Sequence, residues 1–208
     1  MLQEQKLKDG LKEAVQPNRD AFKQLEEKIQ KLQSDIGQSL THEQFQEMAA
    51  NMRENKTKNM AEETAKRMGE ALADYLNDME DMTGDNPLKP FTVSQTKPIF
   101  DALMQIGEQG IPPVDAKIQQ IWTSFFPIQF SLKTPPSGSV QKTSSIGSIV
   151  PLQSIAPPVT TDKQFDDFVE EFAQVIHMSA SKIPVVINHM VSSPSGPVPG
   201  PPISGIVK

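Results

Sequence analysis

The distribution of proline divides this chain into two parts that favour different kinds of structure. The sequence has 208 residues and 18 prolines, and only Pro17 precedes Pro87. Because proline removes a backbone donor and disrupts helix interiors, long helices are expected before residue 87 and short elements after it. Charge changes at the same place, since residues 1–86 carry 12 basic and 18 acidic side chains and residues 87–208 carry 8 of each. We therefore expect a boundary at residues 83–90.

The composition predicts a thin hydrophobic core. Apolar residues make up 37% of the chain and aromatic residues 6%, whereas globular proteins average about 45–50% apolar residues. A polypeptide of this length with so few apolar side chains is expected to complete its burial against other proteins.

The apolar residues of the first part predict a long helix with a coiled-coil seam. From Phe22 onward they recur at alternating steps of three and four residues. Phe22, Ile29 and Ile36 share one heptad position, and we take them as candidate partner-binding residues. Pro17 is expected to begin or kink this helix. Asn18 falls in the seam, where one polar residue can fix the register.

A second helix is expected to begin at Thr41, because Thr41 and Gln44 have the spacing of a capping box. The helix should end before the turn signal at residues 83–87. Its face is rich in methionine, a flexible residue that is over-used at adaptable interfaces. Two interpretations remain open: the methionines pack between the two helices, or they bind another protein through residues such as Met48 and Met52.

Residues 87–130 predict a short helical hairpin. Pro98 is expected in the first turn of one helix, and Pro112 and Pro113 in the first turn of the next. The second helix carries the densest apolar cluster of the chain, including Trp122 and Phe125, which are also candidate partner-binding residues.

Residues 131–160 are rich in Ser, Pro, Thr and Gly, and they predict an extended arm or linker. Apolar residues such as Ile149 are spaced along it, as in chains that dock along a groove or a strand edge. Residues 161–191 predict an amphipathic helix with Phe168 and Phe172 on its apolar face, followed by a strand-like segment from residue 183.

The segment 192–208 contains five prolines and three glycines. Such a sequence favours an extended conformation that loses little entropy on binding. We expect it to wrap a neighbouring subunit, with Pro199, Pro201 and Ile203 in contact with that partner.

Several classes of function find no support in the sequence. The chain has no cysteine and 3 histidines, none of them in a metal-ligand motif. Phosphate-binding loops, a GxSxG motif and a calcium loop are absent, so we expect neither an enzyme nor a cofactor or small-molecule substrate. An acidic helical part argues against nucleic-acid binding, and no apolar run is long enough to cross a membrane. The acids at 166, 167, 170 and 171 are interpreted as a solvated face that matches the helix dipole.

The acidic helical hairpin, the IQQIWTSFFP helix at residues 118–127, the Ser/Pro-rich linker and the VPGPPISG tail together resemble small structural proteins of tailed-bacteriophage virions, especially contractile-tailed phages. The resemblance is one of style over residues 96–208. It implies a multi-copy, non-enzymatic component of a head, neck or baseplate, made in the host cytoplasm and carried in the virion.

The predicted fold is mainly α: an elongated helical hairpin or coiled coil, then short helices joined by extended Pro/Ser-rich arms. The expected segments are 1–86, 87–130, 131–160, 161–191 and 192–208. The leading functional hypothesis is a virion assembly protein that bridges neighbouring subunits of a large assembly. The alternative is a cellular adaptor or chaperone-like scaffold that uses the Met-rich helix as its partner surface.

Overall fold

A computed structural model describes residues 1–36, 41–88, 90–105, 111–125, 128, 130, 139–146 and 162–208. These residues are mainly helical, as the sequence predicts. The helices are α1 (Glu4–Ile36), α2 (His42–Asn77), α3 (Val93–Leu103), α4 (Ile111–Ser124) and α5 (Asp162–Ala180). The strands are β1 (Ser139–Ile146), β2 (Pro184–Val191), β3 (Val198–Pro199) and β4 (Ile203–Ile206).

Helix α1 runs through Pro17 without ending there. A helix was expected to begin or kink at this proline. The expectation of a beginning there is wrong, because the helix starts at Glu4. The reason is packing on both sides of the proline: Leu11 and Val15 are buried before it, and Ile29 is buried after it. Pro17 itself is exposed, so its ring lies on the solvent side, away from the buried residues that hold both halves of the helix.

Helices α1 and α2 form an antiparallel hairpin whose register is fixed by polar contacts. Near one end, Lys6 forms an ion pair with Asp78. In the middle, the Asn18 amide donates to the Thr64 hydroxyl and accepts from Arg67 over 3.0 Å. Toward the other end, Arg53 pairs with Glu26. The seam asparagine thus aligns α1 with α2 of its own chain, because a shift of one turn would separate it from these two partners.

The ends of α2 follow from side-chain caps. Thr41 and Gln44 form the predicted capping box, each side chain binding the other's backbone N–H. The helix ends at Asn77, whose amide side chain binds both the N–H (2.6 Å) and the carbonyl (3.0 Å) of Phe91. This pair of bonds fixes the chain where it returns toward α3.

Helix α3 crosses α2 at a glycine. The Thr96 hydroxyl donates to the Gly69 carbonyl over 2.6 Å, and a Cβ on Gly69 would lie 2.9 Å from the Cα of Lys97. The sequence predicts α3 to start near Pro98, but it starts after a capping box at Thr92 and Gln95. Pro98 therefore lies inside the helix.

Strand β2 is the centre of an antiparallel sheet. Strand β1 pairs along one of its edges, so residues 139–146 of the predicted arm dock on a strand edge of their own chain. The other edge is covered by β3 and β4, which pair with opposite ends of β2. The segment 192–208 was expected to wrap a neighbouring subunit, and this expectation is wrong for its backbone. It pairs with β2 because the inner face of that strand is apolar and because the edge that β1 leaves open has backbone donors and acceptors that need hydrogen bonds.

The tail continues past β4 and is anchored at its end. The Val207 side chain is 2% exposed, and its N–H donates to Ile183 over 3.1 Å. Lys208 and Glu80 exchange two backbone hydrogen bonds. Just after β3, the Gly200 N–H donates to the His189 carbonyl, so the preceding Pro199 has its backbone nitrogen directed away from β2.

One continuous core joins the five helices and the sheet. It contains large, fully buried side chains from every layer: Leu11, Leu72, Phe100, Trp122, Phe172 and Val185. The rings of Phe100 and Phe172 lie 5.4 Å apart. The expectation of a thin core is therefore corrected, because the apolar faces of both sequence parts combine to bury one another.

Candidate partner-binding surface

The far end of the α1–α2 hairpin has its own small core. We call residues 20–34 and 41–56 the distal hairpin. Ile29, Phe45 and Ala49 are buried there against one another. This core is separate from the main one and consists only of α1 and α2 residues, as the heptad pattern of α1 and the apolar spacing of α2 dictate.

One side of this seam is closed by an ion pair. The Arg53 guanidinium donates from Nε and from a terminal nitrogen to the two carboxylate oxygens of Glu26, over 2.6 and 2.7 Å. These hydrogen bonds lower the pKa of the Glu26 carboxyl and raise the pKa of Arg53. The bidentate geometry holds the two helices at one level and presents a polar surface to solvent.

The other side of the seam is apolar and partly open. Leu25 and Leu32 of α1 and Met48 and Met52 of α2 pack against the small core, yet each is only half-buried. Consecutive helix residues point about 100° apart, so Leu25 and Met52 lie across the seam from their neighbours Glu26 and Arg53. We call the four side chains Leu25, Leu32, Met48 and Met52 the open face.

The border of the open face is polar but contains little charge. Asn55 follows Met52 by three residues and lies beside it, and Lys28 lies beside Leu25 and Leu32. Gln24 and Asn51 lie one step further out, and all four of these side chains are exposed. The border therefore carries three amides and one ammonium group.

The structure divides the candidate residues of the hairpin between its core and its surface. Ile29 is 4% exposed and belongs to the small core, while Phe22 is half-buried on the same helix. Met48 and Met52 lie on the open face and pack partly against the small core, and their binding to another protein stays a prediction. Ile36 ends α1, and its side chain is outside the described part of the structure.

Three candidates from the later segments are core residues. Trp122 and Phe172 are 0% exposed and Phe125 is 6% exposed. The indole of Trp122 and the ring of Phe125 pack edge to face, 5.7 Å apart. Their assignment as partner-binding residues is corrected, because all three side chains lie inside the main core and are closed to a partner.

The remaining candidates differ in how they are placed. Pro199, Pro201 and Ile203 have exposed side chains on a backbone that is paired with β2 or adjoins that pairing. Phe168 belongs to α5, but its side chain is outside the described residues, as is the whole of Ile149.

Two of the four acids of α5 have partners on α1. Asp166 pairs with Arg19 and Glu170 pairs with Lys12, each over 2.7 Å. The hydrogen bond between Lys12 and Glu170 raises the pKa of Lys12 and lowers the pKa of Glu170. The two ion pairs hold α5 against the part of α1 that precedes the distal hairpin. Within the residues that the structure describes, no group of three or more His, Cys, Asp or Glu side chains is arranged to hold a metal.

The heptad pattern of α1 places Leu25 and Leu32 in the seam, but it does not distinguish them from the residues that are buried there. The signal that distinguishes them is the position of Glu26 and Arg53, one step around each helix. That pair was missed because Arg53 begins the polar stretch RENKTKN, from which the sequence predicts little contribution to a core.

Comparison of the chain with protein-family models, with curated proteins and with solved structures found no match in any of the three. None of the helices in the described ranges has the length and apolarity needed to cross a bilayer.

Proposed function

We propose that this protein is a non-enzymatic structural or assembly protein of a multi-protein particle, and that it binds neighbouring subunits through the open face of the distal hairpin. The observation that carries the proposal is the asymmetry of this hairpin. An ion pair closes one side of its seam, while four large apolar side chains remain half-buried on the other.

The energetics favour a partner on the open face. Full burial of a Leu or Met side chain is worth about 1.5–3 kcal/mol, and the hairpin by itself realises only part of this for Leu25, Leu32, Met48 and Met52. A further helix or pair of helices laid on this side would bury the remainder. The compact body formed by α3, α4, α5 and the sheet would then act as the platform from which the hairpin extends.

A virion is the particle we propose, on the strength of the resemblance to structural proteins of tailed phages. A head, neck or baseplate contains each component in a fixed copy number. In this setting the hairpin bridges subunits, and the exposed side chains of the tail, such as Ile203, offer a second and smaller contact.

A cellular adaptor is the second candidate, and the two methionines of the open face favour it. Met48 and Met52 are flexible and polarisable, so one surface could accommodate several different partners. An adaptor exchanges its partners, whereas a structural component is retained at a constant ratio.

The two candidates can be separated by quantitative mass spectrometry of complexes isolated with the full-length chain from its native source. A structural protein should appear at one fixed ratio to its neighbours, and lysine cross-links should join Lys23, Lys28 or Lys31 to another protein. A variable ratio would favour the adaptor. Cross-links confined to the body, with none from the hairpin, would contradict the proposed binding surface.

A matched pair of variants makes this test specific. Met48→Glu places a charge on the open face and should reduce incorporation into the complex. Gln46→Glu adds the same charge at an exposed position two turns before Arg53, on the closed side, and should leave incorporation unchanged. Equal incorporation of both variants would contradict the proposal.

A further inference from the structure

We infer that the open face of the distal hairpin binds a second copy of this chain, so that two hairpins pack side by side as a four-helix bundle. This inference rests on the proposed function, because it names the first partner that binds the open face. In the bundle, Leu25 and Leu32 of each copy would lie against Met48 and Met52 of the other.

The border of the open face suits an identical partner. A two-fold contact brings a surface against itself, so its polar groups must complement their own copies. Amides meet this requirement because each one both donates and accepts. Gln24, Asn51 and Asn55 are amides, and the exposed carboxylate of Glu47 lies further around α2 from the seam than Asn51 does.

The one cation on the border also finds a partner in this arrangement. The contact of Glu26 with Arg53 places residue 28 of α1 near the level of residue 51 of α2, one helical turn from Asn55. A two-fold axis parallel to the hairpin sets α1 of one copy beside α2 of the other. The Lys28 ammonium then faces the Asn51 and Asn55 amides, whose oxygens accept its hydrogen bonds.

The geometry limits the assembly to a closed pair. The opposite side of each seam carries the Glu26–Arg53 ion pair, so a third hairpin packed there would have to bury these two charges. The neighbouring helices α1 of one copy and α2 of the other run antiparallel, as in up-and-down four-helix bundles.

The available area predicts a reversible dimer. Helical segments of about 15 residues are about 23 Å long, and two adjacent helices present a face about 20 Å wide. The contact would bury about 450 Å² per copy, or about 900 Å² in total, which is close to the lower bound of about 1,000 Å² for specific interfaces. Contacts below about 1,200 Å² are typical of weak, transient complexes, so we expect a reversible dimer with a dissociation constant in the micromolar range.

Sedimentation velocity of the full-length chain from about 1 to 200 μM tests this directly, since the range brackets a micromolar constant. The wild type should shift from monomer to dimer with rising concentration and form nothing larger. Met52→Glu should weaken the dimer at least tenfold. Gln46→Glu, on the closed side, is the matched control and should dimerise as the wild type does.

A second pair of variants avoids the apolar core altogether. Asn55→Arg changes an exposed side chain and should weaken the dimer by setting its charge against Lys28 of the other copy. Adding Lys28→Glu should restore dimerisation, because the introduced carboxylate would then face the introduced guanidinium. A monomeric wild type at all concentrations, a species larger than a dimer, or a double variant no better than Asn55→Arg would overturn the inference.

Failure of this inference and failure of the proposed function give different results. A chain that is monomeric but still needs Met48 for incorporation into its complex binds a different protein on the open face. A chain that dimerises but joins no larger complex contradicts the proposed function and retains the dimer.

Discussion

Tyr75 is the residue whose chemistry depends most on its position. It is fully buried, and its hydroxyl lies 2.8 Å from Nδ1 of His177 on α5. Burial raises the pKa of the phenol above its usual value. The hydroxyl therefore stays protonated at neutral pH, and it can donate to the imidazole nitrogen. This bond links α2 to α5 inside the main core.

The raised pKa of Tyr75 predicts a loss of stability at alkaline pH. The unfolded chain ionises this tyrosine near pH 10, whereas the folded chain resists ionisation. The contribution of this pKa difference to the free energy of unfolding is fully present below pH 10 and is lost as the pH rises above it. Thermal unfolding temperatures measured from pH 8 to 11.5 should fall more steeply for the wild type than for Tyr75→Phe.

The control for this prediction uses the fact that the chain has one tyrosine. Absorbance at 295 nm should show phenolate only when the wild type unfolds. At pH 7, Tyr75→Phe should cost about 1–2 kcal/mol, because the partly buried His177 loses the hydrogen-bond partner of its Nδ1. Titration of Tyr75 near pH 10 with the fold intact would contradict the prediction.

Trp122 gives a prediction about packing. Its side chain is fully buried beside Phe125, so Trp122→Ala should reduce the free energy of unfolding by about 3–5 kcal/mol. Urea denaturation followed by circular dichroism measures this without the tryptophan signal. Thr123→Ala, at the exposed neighbouring position, should change stability by less than about 0.5 kcal/mol. Equal midpoints for the two variants would show that Trp122 is not in the core.

At the scale of elements, the close crossing of α2 and α3 depends on Gly69, which has no side chain. Helix propensity alone predicts that Gly69→Ala would stabilise α2 by about 1 kcal/mol. The structure predicts the opposite, because the added Cβ would lie 2.9 Å from backbone atoms of Lys97. The thermal unfolding temperature should therefore fall. Asn51→Ala, at an exposed position of the same helix, should raise it slightly by propensity, and a rise in both variants would contradict the close approach.

Local signals in the sequence predict many of these elements. The capping box at Thr41, the helix restart at Ile111 and the strand-like segment from residue 183 all lie where the structure has them. The start of α1 and the helix through Pro17 were not predictable in this way, since they depend on buried contacts such as that of Leu11.

The candidate surface was predictable only in part. The heptad pattern identifies the seam of α1, and the methionines mark one face of α2. Which flank of the seam is open depends on the pairing of Glu26 with Arg53, residues that lie 27 positions apart on different helices. Likewise, the sequence marks Trp122 and Phe172 as apolar, but only the folded chain shows that both are fully buried in the main core and closed to a partner.

At the scale of the whole molecule, the tail is part of the fold. It closes one edge of the sheet, and Val207 at its end is buried. A chain that lacks residues 198–208 should keep its helical circular dichroism but lose at least about 2 kcal/mol of stability from the side chain and backbone contacts removed. For a domain of this size, that is a fall of about 5 °C or more in Tm.

A point variant separates burial of the tail from its length. Val207→Asp retains the whole chain but places a carboxylate in the core, and it should lower Tm as the truncation does. Lys208→Ala, which changes an exposed side chain and keeps the backbone bonds to Glu80, should have little effect. An unchanged Tm in the truncated protein would mean that the tail does not contribute to the folded state.

The prolines at 199 and 201 have a consequence for the protein at high concentration. The ring nitrogen of Pro199 lies on the outer border of β3, where a strand of another molecule would require an N–H donor, and Pro201 follows two residues later. Growth of the sheet from one molecule to the next, which is the first step toward a fibril, is therefore blocked along β3. Neighbouring molecules crowded against this side of the sheet cannot extend it by regular strand pairing.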